Sequence, residues 1–179
     1  QCKIVAVSNP MGIDNFMEPT ISLAYGINWA ANDNDGGKAD IVNCSWGFAD
    51  TDVNAPILEQ RILQALNTGR YGKGCIVVFI SGNEYLNTRY PSYIDPRIMV
   101  VGAVDNTGTR APSSSYQVPG LMEGYSANNI DVVAPGVDIR SLIVDILFEY
   151  PNTEVSYDES TMSGTSMAAP HVSGVAALM

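Results

Sequence analysis

Ser166 is the residue whose type and surroundings most directly suggest chemistry. It follows Gly164 and Thr165 and opens a run of small apolar residues typical of a buried helix. Glycine gives the backbone freedom to turn, threonine and serine are good helix starters, and Pro170 falls near the first turn, where a missing N–H costs little. The positive end of a helix dipole stabilises the alkoxide form of a hydroxyl, and free N–H groups there stabilise a neighbouring oxyanion. Transfer of an acyl group from a peptide to a serine requires both kinds of stabilisation.

Residues 164–174 read Gly-Thr-Ser-Met-Ala-Ala-Pro-His-Val-Ser-Gly. This run resembles the nucleophile motif of the subtilisin family of serine peptidases at every fixed position. The alternative is a buried Ala/Gly helix that happens to begin with serine, and the number of matched positions argues against it. The resemblance implies a serine endopeptidase that forms an acyl-enzyme at Ser166. It also implies that the chain is the C-terminal part of a catalytic domain.

Asn83 is the second candidate catalytic residue. It comes just after the apolar run Ile76–Ile80, and its carboxamide can donate two hydrogens to a developing oxyanion. Gly82 lets the backbone turn closely around that group. An asparagine in an ordinary turn after a strand is the alternative. In subtilisin-like enzymes a Gly-Asn pair at the end of a buried strand supplies the oxyanion donor, so the resemblance implies this role for Asn83.

Further segments resemble the walls of the family's substrate cleft. Ser45-Trp46-Gly47 is similar to the segment that pairs with an extended protein or peptide substrate, where the glycine leaves room for the peptide backbone. For Trp46 the alternative is a core aromatic side chain that closes a strand. The substrate-binding residues that we predict on this basis are Ser45, Trp46, Gly47, Ser81, Gly82, Gly164 and Thr165.

Hydrophobic periodicity predicts alternating strands and helices. The predicted strands are 3–7, 40–44, 74–81, 98–104 and 131–134, and the predicted helices are 21–31, 55–68 and a segment that begins near Ser166. Strand–helix–strand order implies right-handed crossovers and a parallel sheet with helices on both faces. We therefore predict an α/β fold with a three-layer, mostly parallel sheet, an incomplete version of the subtilisin-like fold. Ligands bind beyond the carboxyl ends of the strands in such sheets, where Ser45 and Asn83 fall.

The general base that a serine nucleophile needs is not evident in the sequence. The single histidine, His171, lies five residues after Ser166 on the same predicted helix. That spacing places it about 7.5 Å along the axis and roughly 140° around, so it cannot reach the hydroxyl. The family position that His171 matches is structural, and we expect it to pack or hydrogen-bond within the core. A Ser-Lys pair is disfavoured, because the three lysines lie at strand or turn edges.

The family's acid and base motifs, Asp-Thr/Ser-Gly and His-Gly-Thr-His, are absent from the sequence. We expect residues 1–179 to be a partial catalytic domain that lacks the N-terminal Asp and His segments and the final helices, and to be inactive alone. The alternative is a non-catalytic relative that binds peptides or protein partners. Ser166 together with Asn83 favours the enzyme, because binding needs neither. Asn83 also disfavours the sedolisins, which use an aspartate as the oxyanion donor.

The composition argues against several other classes of function. Nine basic and nineteen acidic residues give a formal charge of −10 with no basic cluster, which argues against nucleic acid as a partner. The longest apolar run, Ile76–Ile80, is too short to span a membrane. The chemistry requires no cofactor. The resemblance implies an extracellular or cell-envelope location, and the oligomeric state stays open.

The spacing of potential ligands does not indicate a metal site. Cys2, Cys44 and Cys75 show no ligand pairs and each adjoins an apolar run, which predicts buried free thiols. Residues 32–37 are rich in Asp and Asn but lack the final glutamate of an EF-hand loop, so we expect a turn. Asp131 falls where some relatives bind a weak cation, and a solvated or hydrogen-bonded aspartate is the preferred interpretation. A structural calcium ion stays open.

Asp50 and Asp52 follow the Ser45–Gly47 segment closely. In this they resemble the kexin-like convertases, in which acidic residues after the same segment select basic substrates. The chain lacks the acidic insert that those enzymes carry after the oxyanion asparagine. A solvated acidic loop is therefore the preferred interpretation.

Overall fold

The computed structural model describes residues 2–7, 19–31, 37–48, 53–85, 90–116, 130–149 and 152–179. These residues form three helices and six strands. The helices are α1 (Pro19–Ala31), α2 (Pro56–Gly72) and α3 (Thr165–Ala176). The strands are β1 (Ile41–Cys44), β2 (Ile76–Ile80), β3 (Met99–Val104), β4 (Val132–Pro135), β5 (Ile139–Glu149) and β6 (Asn152–Met162).

The first four strands form one parallel sheet in the order β1-β2-β3-β4. Val42 pairs with Val77 between β1 and β2, and Val101 pairs with Val132 between β3 and β4. The two central strands, β2 and β3, are buried on both faces, which explains why they are continuous apolar runs rich in valine. Because the strands are parallel, their carboxyl ends lie at one edge of the sheet.

Helices cover both faces of this sheet. Alternate residues of a strand point to opposite sides, and β2 shows this directly. Val77 and Phe79 belong to the hydrophobic core that includes buried residues of α1 and α2. Val78 and Ile80 belong to a second core that includes Ala168 of α3. The predicted α/β architecture with three layers is confirmed.

The structure corrects two predicted elements. The helix predicted over 55–68 continues to Gly72, although Gly69, Arg70 and Tyr71 have non-helical backbone angles. Residues 3–7, predicted as a strand, pair with no strand in the described part of the chain, and Ile4 is 98% exposed. An apolar run indicates strand propensity, but it cannot show that a neighbouring strand is available for pairing.

The antiparallel pair β5–β6 was not predicted from the sequence. Ile139 pairs with Met162 and Glu149 with Asn152, so every residue of both strands is paired. The residues between the strands are Tyr150 and Pro151, which are not a typical two-residue hairpin turn such as Asn-Gly. The hairpin ends directly before α3 and thus leads into the predicted nucleophile motif.

Candidate active site

The carboxyl edge of the sheet brings the predicted site residues together. Ser45 follows β1, Asn83 follows β2, and Ser166 lies in the first turn of α3. The Gly164 N–H donates to the Gly136 carbonyl at 2.7 Å, which joins the start of α3 to the chain leaving β4. A Cβ atom on Gly136 would lie 2.6 Å from that of Ala103, so the close approach of these segments requires glycine there.

Ser166 and Ser45 form two reciprocal hydrogen bonds. The Ser166 Oγ–H donates to the Ser45 carbonyl at 3.1 Å, and the Ser45 Oγ–H donates to the Ser166 carbonyl at 3.0 Å. The Ser166 carbonyl is available because Pro170, four residues later, has no N–H to donate to it. Pro170 lies inside α3, somewhat past the first turn near which the sequence predicted it. Ser45 donates to the Ser166 carbonyl that Pro170 leaves without a helical partner.

The carboxamide of Asn83 is held in one orientation by Thr165. Its Oδ1 accepts a hydrogen bond from the Thr165 N–H at 2.8 Å and another from the Thr165 Oγ–H at 3.0 Å. The Thr165 side chain is fully buried. With the oxygen engaged by two donors, the Asn83 NH₂ group presents both hydrogens, and it donates to no described residue. Asn83 is exposed, so these hydrogens are accessible to a ligand.

The start of α3 supplies a second donor. Gly164 precedes the helix at φ +150°, a conformation that L side chains rarely adopt, and a Cβ atom there would lie 3.4 Å from the Asn83 amide. The Ser166 N–H is among the first N–H groups of α3, which have no partner within a helix, and it donates to no described residue. The Ser166 hydroxyl oxygen and its unpartnered N–H therefore lie together at the positive end of the helix dipole.

The loop that carries Asn83 is fastened to residues 113–115. The Ser115 N–H donates to the Gly82 carbonyl at 2.9 Å, and Gly82 itself has φ +109°. The Ser81 Oγ–H donates to the Ser115 carbonyl at 3.2 Å, and Ser81 is fully buried. Ser81, one of the predicted substrate-binding residues, therefore exposes no surface to a ligand, and its N–H donates to the Val101 carbonyl at 2.9 Å.

Trp46 and Gly47, which follow β1, differ in their exposure to solvent. Trp46 is half-buried and packs edge-on against Phe79 of the core, with ring centroids 5.0 Å apart, so the core interpretation of this side chain holds in part. Gly47 is exposed. The N–H groups of Trp46 and Gly47 donate to no described residue, which leaves backbone donors for an extended peptide beside the Ser166 hydroxyl.

A family model described as the subtilase family matches residues 6–179. The chain belongs to the subtilase family. Among its relatives are the thermophilic serine proteinase of Bacillus sp. (strain AK1), 36% identical over 141 residues, and subtilisin Savinase of Lederbergia lenta, 32% identical over 159 residues. These alignments cover 79% and 88% of this subtilase, but only 28% and 46% of the two relatives. The chain thus spans less than half the length of either relative.

Solved structures of similar fold agree with this assignment. The prenylagaramide maturation protease PagA superposes with a TM-score of 0.64 at 25% identity, over 94% of this chain and 52% of that one. The self-cleaved protease domain of PatA superposes with a TM-score of 0.61 at 28% identity, over 89% of this chain and 50% of that one. The subtilisin-like fold predicted from the sequence is confirmed.

His171 of this subtilase is not a core residue. Its Nδ1 lies 2.8 Å from the Met167 carbonyl one turn earlier on α3, and its side chain is exposed. The expected hydrogen bond is present, but the expectation that it lies within the core was wrong. Asp131, in contrast, accepts a hydrogen bond from the Val100 N–H at 2.8 Å, as the hydrogen-bonded interpretation predicted.

Sequence reasoning missed Asn43, which joins two elements of the site. Its Nδ2 donates to Ser45 Oγ at 2.9 Å, and its Oδ1 accepts from Ser173 Oγ at 2.9 Å. The carboxamide thereby connects the end of β1 to the middle of α3. A polar residue in the short apolar strand Ile41–Cys44 was the available signal.

Some predictions concern residues that lie outside the described ranges, and others concern metal binding or a membrane span. Residues 32–36 of the predicted turn, and Asp50 and Asp52 of the acidic segment, lie outside the described residues. Within the described ranges, no three His, Cys, Asp or Glu side chains come together as a group able to hold a metal ion. None of the helices in those ranges has the length and hydropathy needed to cross a bilayer.

Proposed function

We propose that this subtilase provides the nucleophile and the oxyanion donors of a serine endopeptidase. The observation that carries the proposal is the site at the start of α3. There the Asn83 carboxamide, oriented by Thr165, and the free Ser166 N–H flank the position next to the Ser166 hydroxyl. Donors aimed at the point where negative charge develops are the largest single contribution to acyl transfer in many enzymes.

In the proposed reaction, Ser166 Oγ attacks the carbonyl carbon of the scissile peptide bond. The negative charge that develops on the carbonyl oxygen is accepted by the Asn83 NH₂ and the Ser166 N–H. The C–N bond then breaks, the amine leaves with the proton taken from Ser166, and water hydrolyses the acyl-enzyme to regenerate the serine. No cofactor enters these steps, and a structural calcium ion stays an open question.

The proton transfers need a general base, which we propose lies outside these 179 residues. The one histidine, His171, is hydrogen-bonded to Met167 of its own helix. In the family a histidine oriented by an aspartate serves as the base. We expect the 179-residue chain alone to be inactive, because its serine hydroxyl donates to the Ser45 carbonyl and no base removes its proton.

The proposed substrates are proteins or peptides in an extended conformation. The backbone N–H groups of Trp46 and Gly47 would pair with the substrate segment that precedes the scissile bond, with Ser45 and Gly82 beside it. Main-chain pairing gives affinity with little sequence selectivity. We propose an extracellular or cell-envelope location on the likeness to the subtilisins. No observation favours the non-catalytic alternative, in which Ser166 and Asn83 would have no chemical function.

The test measures peptide hydrolysis by the full polypeptide that the gene encodes and by two variants of it. Ser166→Ala removes the nucleophile, and we expect hydrolysis to fall by about 10⁶-fold, to the level of residual catalysis. Thr68→Ala, which removes an exposed hydroxyl that donates to the Gln64 carbonyl of α2, is the control and should stay within about tenfold of the parent. Undiminished hydrolysis by Ser166→Ala would refute the proposal. Turnover by the 179 residues alone, lost in Ser166→Ala, would refute the external base.

A further inference from the structure

Arg110 packs against two tyrosine rings behind the loop that carries Asn83. The guanidinium carbon is 4.9 Å from the centroid of Tyr85 and 4.5 Å from that of Tyr116, and the two rings meet edge to face at 5.4 Å. Arg110 Nη1 also donates to the Ser114 carbonyl at 2.7 Å. A planar cation stacked on aromatic faces and hydrogen-bonded at its edge is a favourable arrangement for arginine that lysine cannot reproduce.

Tyr85 has an unfavourable backbone conformation. Its φ is +59°, which a residue with a bulky side chain rarely adopts and which costs free energy. Its side chain is 53% exposed, so burial of the ring contributes little to holding it there. The contacts that hold it are the hydrogen bond from its N–H to the Ser113 carbonyl at 3.1 Å and its contacts with Arg110 and Tyr116. A strained residue persists only when its surroundings enforce the conformation.

The strained residue is two positions from Asn83. The loop bonds to the 113–115 segment on both sides of Asn83: before it through the Gly82 carbonyl, and after it through the N–H groups of Glu84 and Tyr85. The Glu84 N–H donates to Ser115 Oγ at 3.4 Å, a weak bond. Within the loop, the Asn83 N–H also donates to the Glu84 carboxylate at 2.8 Å. The hydrogen bond from the Tyr85 N–H thus helps to fasten the loop to the 113–115 segment, and Arg110 packs on the Tyr85 ring.

We propose that Arg110 is a positioning residue for the oxyanion donor Asn83. It stacks on Tyr85, binds the Ser114 carbonyl, and so fixes the loop from which the Asn83 amide reaches Thr165. The inference rests on the proposed function insofar as Asn83 acts on an oxyanion. The placement of the loop can be measured without any reaction.

The first measurement is of the loop itself, in the polypeptide that the gene encodes. In Arg110→Leu we expect amide exchange at Tyr85 to be about tenfold faster, since a stacked and hydrogen-bonded cation is lost. The side-chain NH₂ signals of Asn83, assigned by their loss in Asn83→Asp, should shift or broaden. Arg110→Lys should show an intermediate effect. Arg61→Leu is the control, because Arg61 pairs only with Gln64 on α2 in the described structure.

The second measurement is of peptide hydrolysis in the polypeptide that its gene encodes. Asn83 would contact charge that appears only in the transition state, so Arg110→Leu should lower kcat by about tenfold or more and leave KM within about twofold. A merely structural contribution would instead lower the amount of folded enzyme and leave kcat per active site unchanged. Active-site titration separates the two.

Each outcome decides the proposal. If Arg110→Leu matches Arg61→Leu at Tyr85 and Asn83, Arg110 positions nothing and the proposal is overturned. If Arg110→Leu does not fold, Tyr85→Leu removes the ring on which Arg110 stacks and keeps the Ser114 bond, and unchanged Asn83 signals there would also overturn it. If Arg110→Leu speeds exchange at Tyr85 and shifts the Asn83 signals, but neither the parent nor any variant hydrolyses peptides, the positioning by Arg110 is supported and the proposed function is refuted.

Discussion

At the scale of single residues, the direction of one side chain decides what the site can do. An Asn83 carboxamide turned by half a rotation would present an acceptor to the substrate carbonyl in place of two donors. Thr165 prevents this because its N–H and its hydroxyl both donate to Asn83 Oδ1. The hydroxyl is buried and contributes to orientation only, so it can be removed without touching the reacting groups.

In the polypeptide that the gene encodes, Thr165→Val should lower kcat for peptide hydrolysis by about two- to tenfold, the effect of one hydrogen bond, and leave KM nearly unchanged. Valine has the shape of threonine but lacks the hydroxyl. Thr165→Ser keeps the donor and is the matched control. Steady-state kinetics on both variants checks the prediction. An equal loss in Thr165→Ser would mean that packing of the methyl group, and not the hydrogen bond, positions Asn83.

At the scale of elements, α3 contributes through the way it begins. The helix is entered through Gly164 at φ +150°, next to the Asn83 amide, and it contains a second glycine, Gly174, that has no atom within 4 Å of its would-be Cβ. The glycine before the helix and the glycine within it therefore have different effects on stability. Gly164 is needed for its conformation, whereas Gly174 only weakens the helix.

Gly164→Ala should lower the free energy of unfolding by about 1–3 kcal/mol, because alanine is strained at this φ. Gly174→Ala should raise it by about 0.5–1 kcal/mol, since alanine is the better helix former and its methyl group meets nothing. Urea denaturation of both variants gives the two values. Equal effects of the same sign would show that the backbone conformation at Gly164 is not a constraint.

At the scale of the whole molecule, two hydrophobic cores on opposite faces of the sheet decide which groups reach solvent. Cys44 and Cys75 belong to the core that includes residues of α1 and α2 and are 2% and 6% exposed. Burial raises the pKa of the Cys44 thiol well above its usual range. Cys2 is exposed, contrary to the prediction that all three thiols are buried, and its Sγ–H donates to the Ala177 carbonyl at 3.2 Å.

Iodoacetamide at pH 8 should therefore modify only Cys2 in the folded chain, and all three cysteines in concentrated urea. The reactive species is the thiolate, which Cys44 with its raised pKa does not form, and burial keeps the reagent from both Cys44 and Cys75. Peptide mapping by mass spectrometry counts the modified sites. If Cys44 or Cys75 is modified as fast as Cys2 in the folded chain, the core that contains them is accessible to the reagent and the prediction is wrong.

The sequence by itself identified the candidate catalytic residues and predicted the main elements of this subtilase. Ser166 and Asn83 were identified because a motif and the end of an apolar run are local, and β1 to β4 followed because buried parallel strands are continuous apolar runs. The same reasoning missed β5 and β6, since the sequence between them carries no recognisable hairpin turn.

Only the tertiary structure decided how these groups are held. Ser45 takes the Ser166 carbonyl that Pro170 leaves open, across 121 positions of the chain, and Thr165 orients Asn83 across 82. Arg110 meets Tyr85 for the same reason, that separate loops converge at one edge of the sheet. Periodicity and motifs report on neighbours along the chain, whereas these hydrogen bonds and ring contacts depend on distances that arise once the strands are paired and the helices are packed.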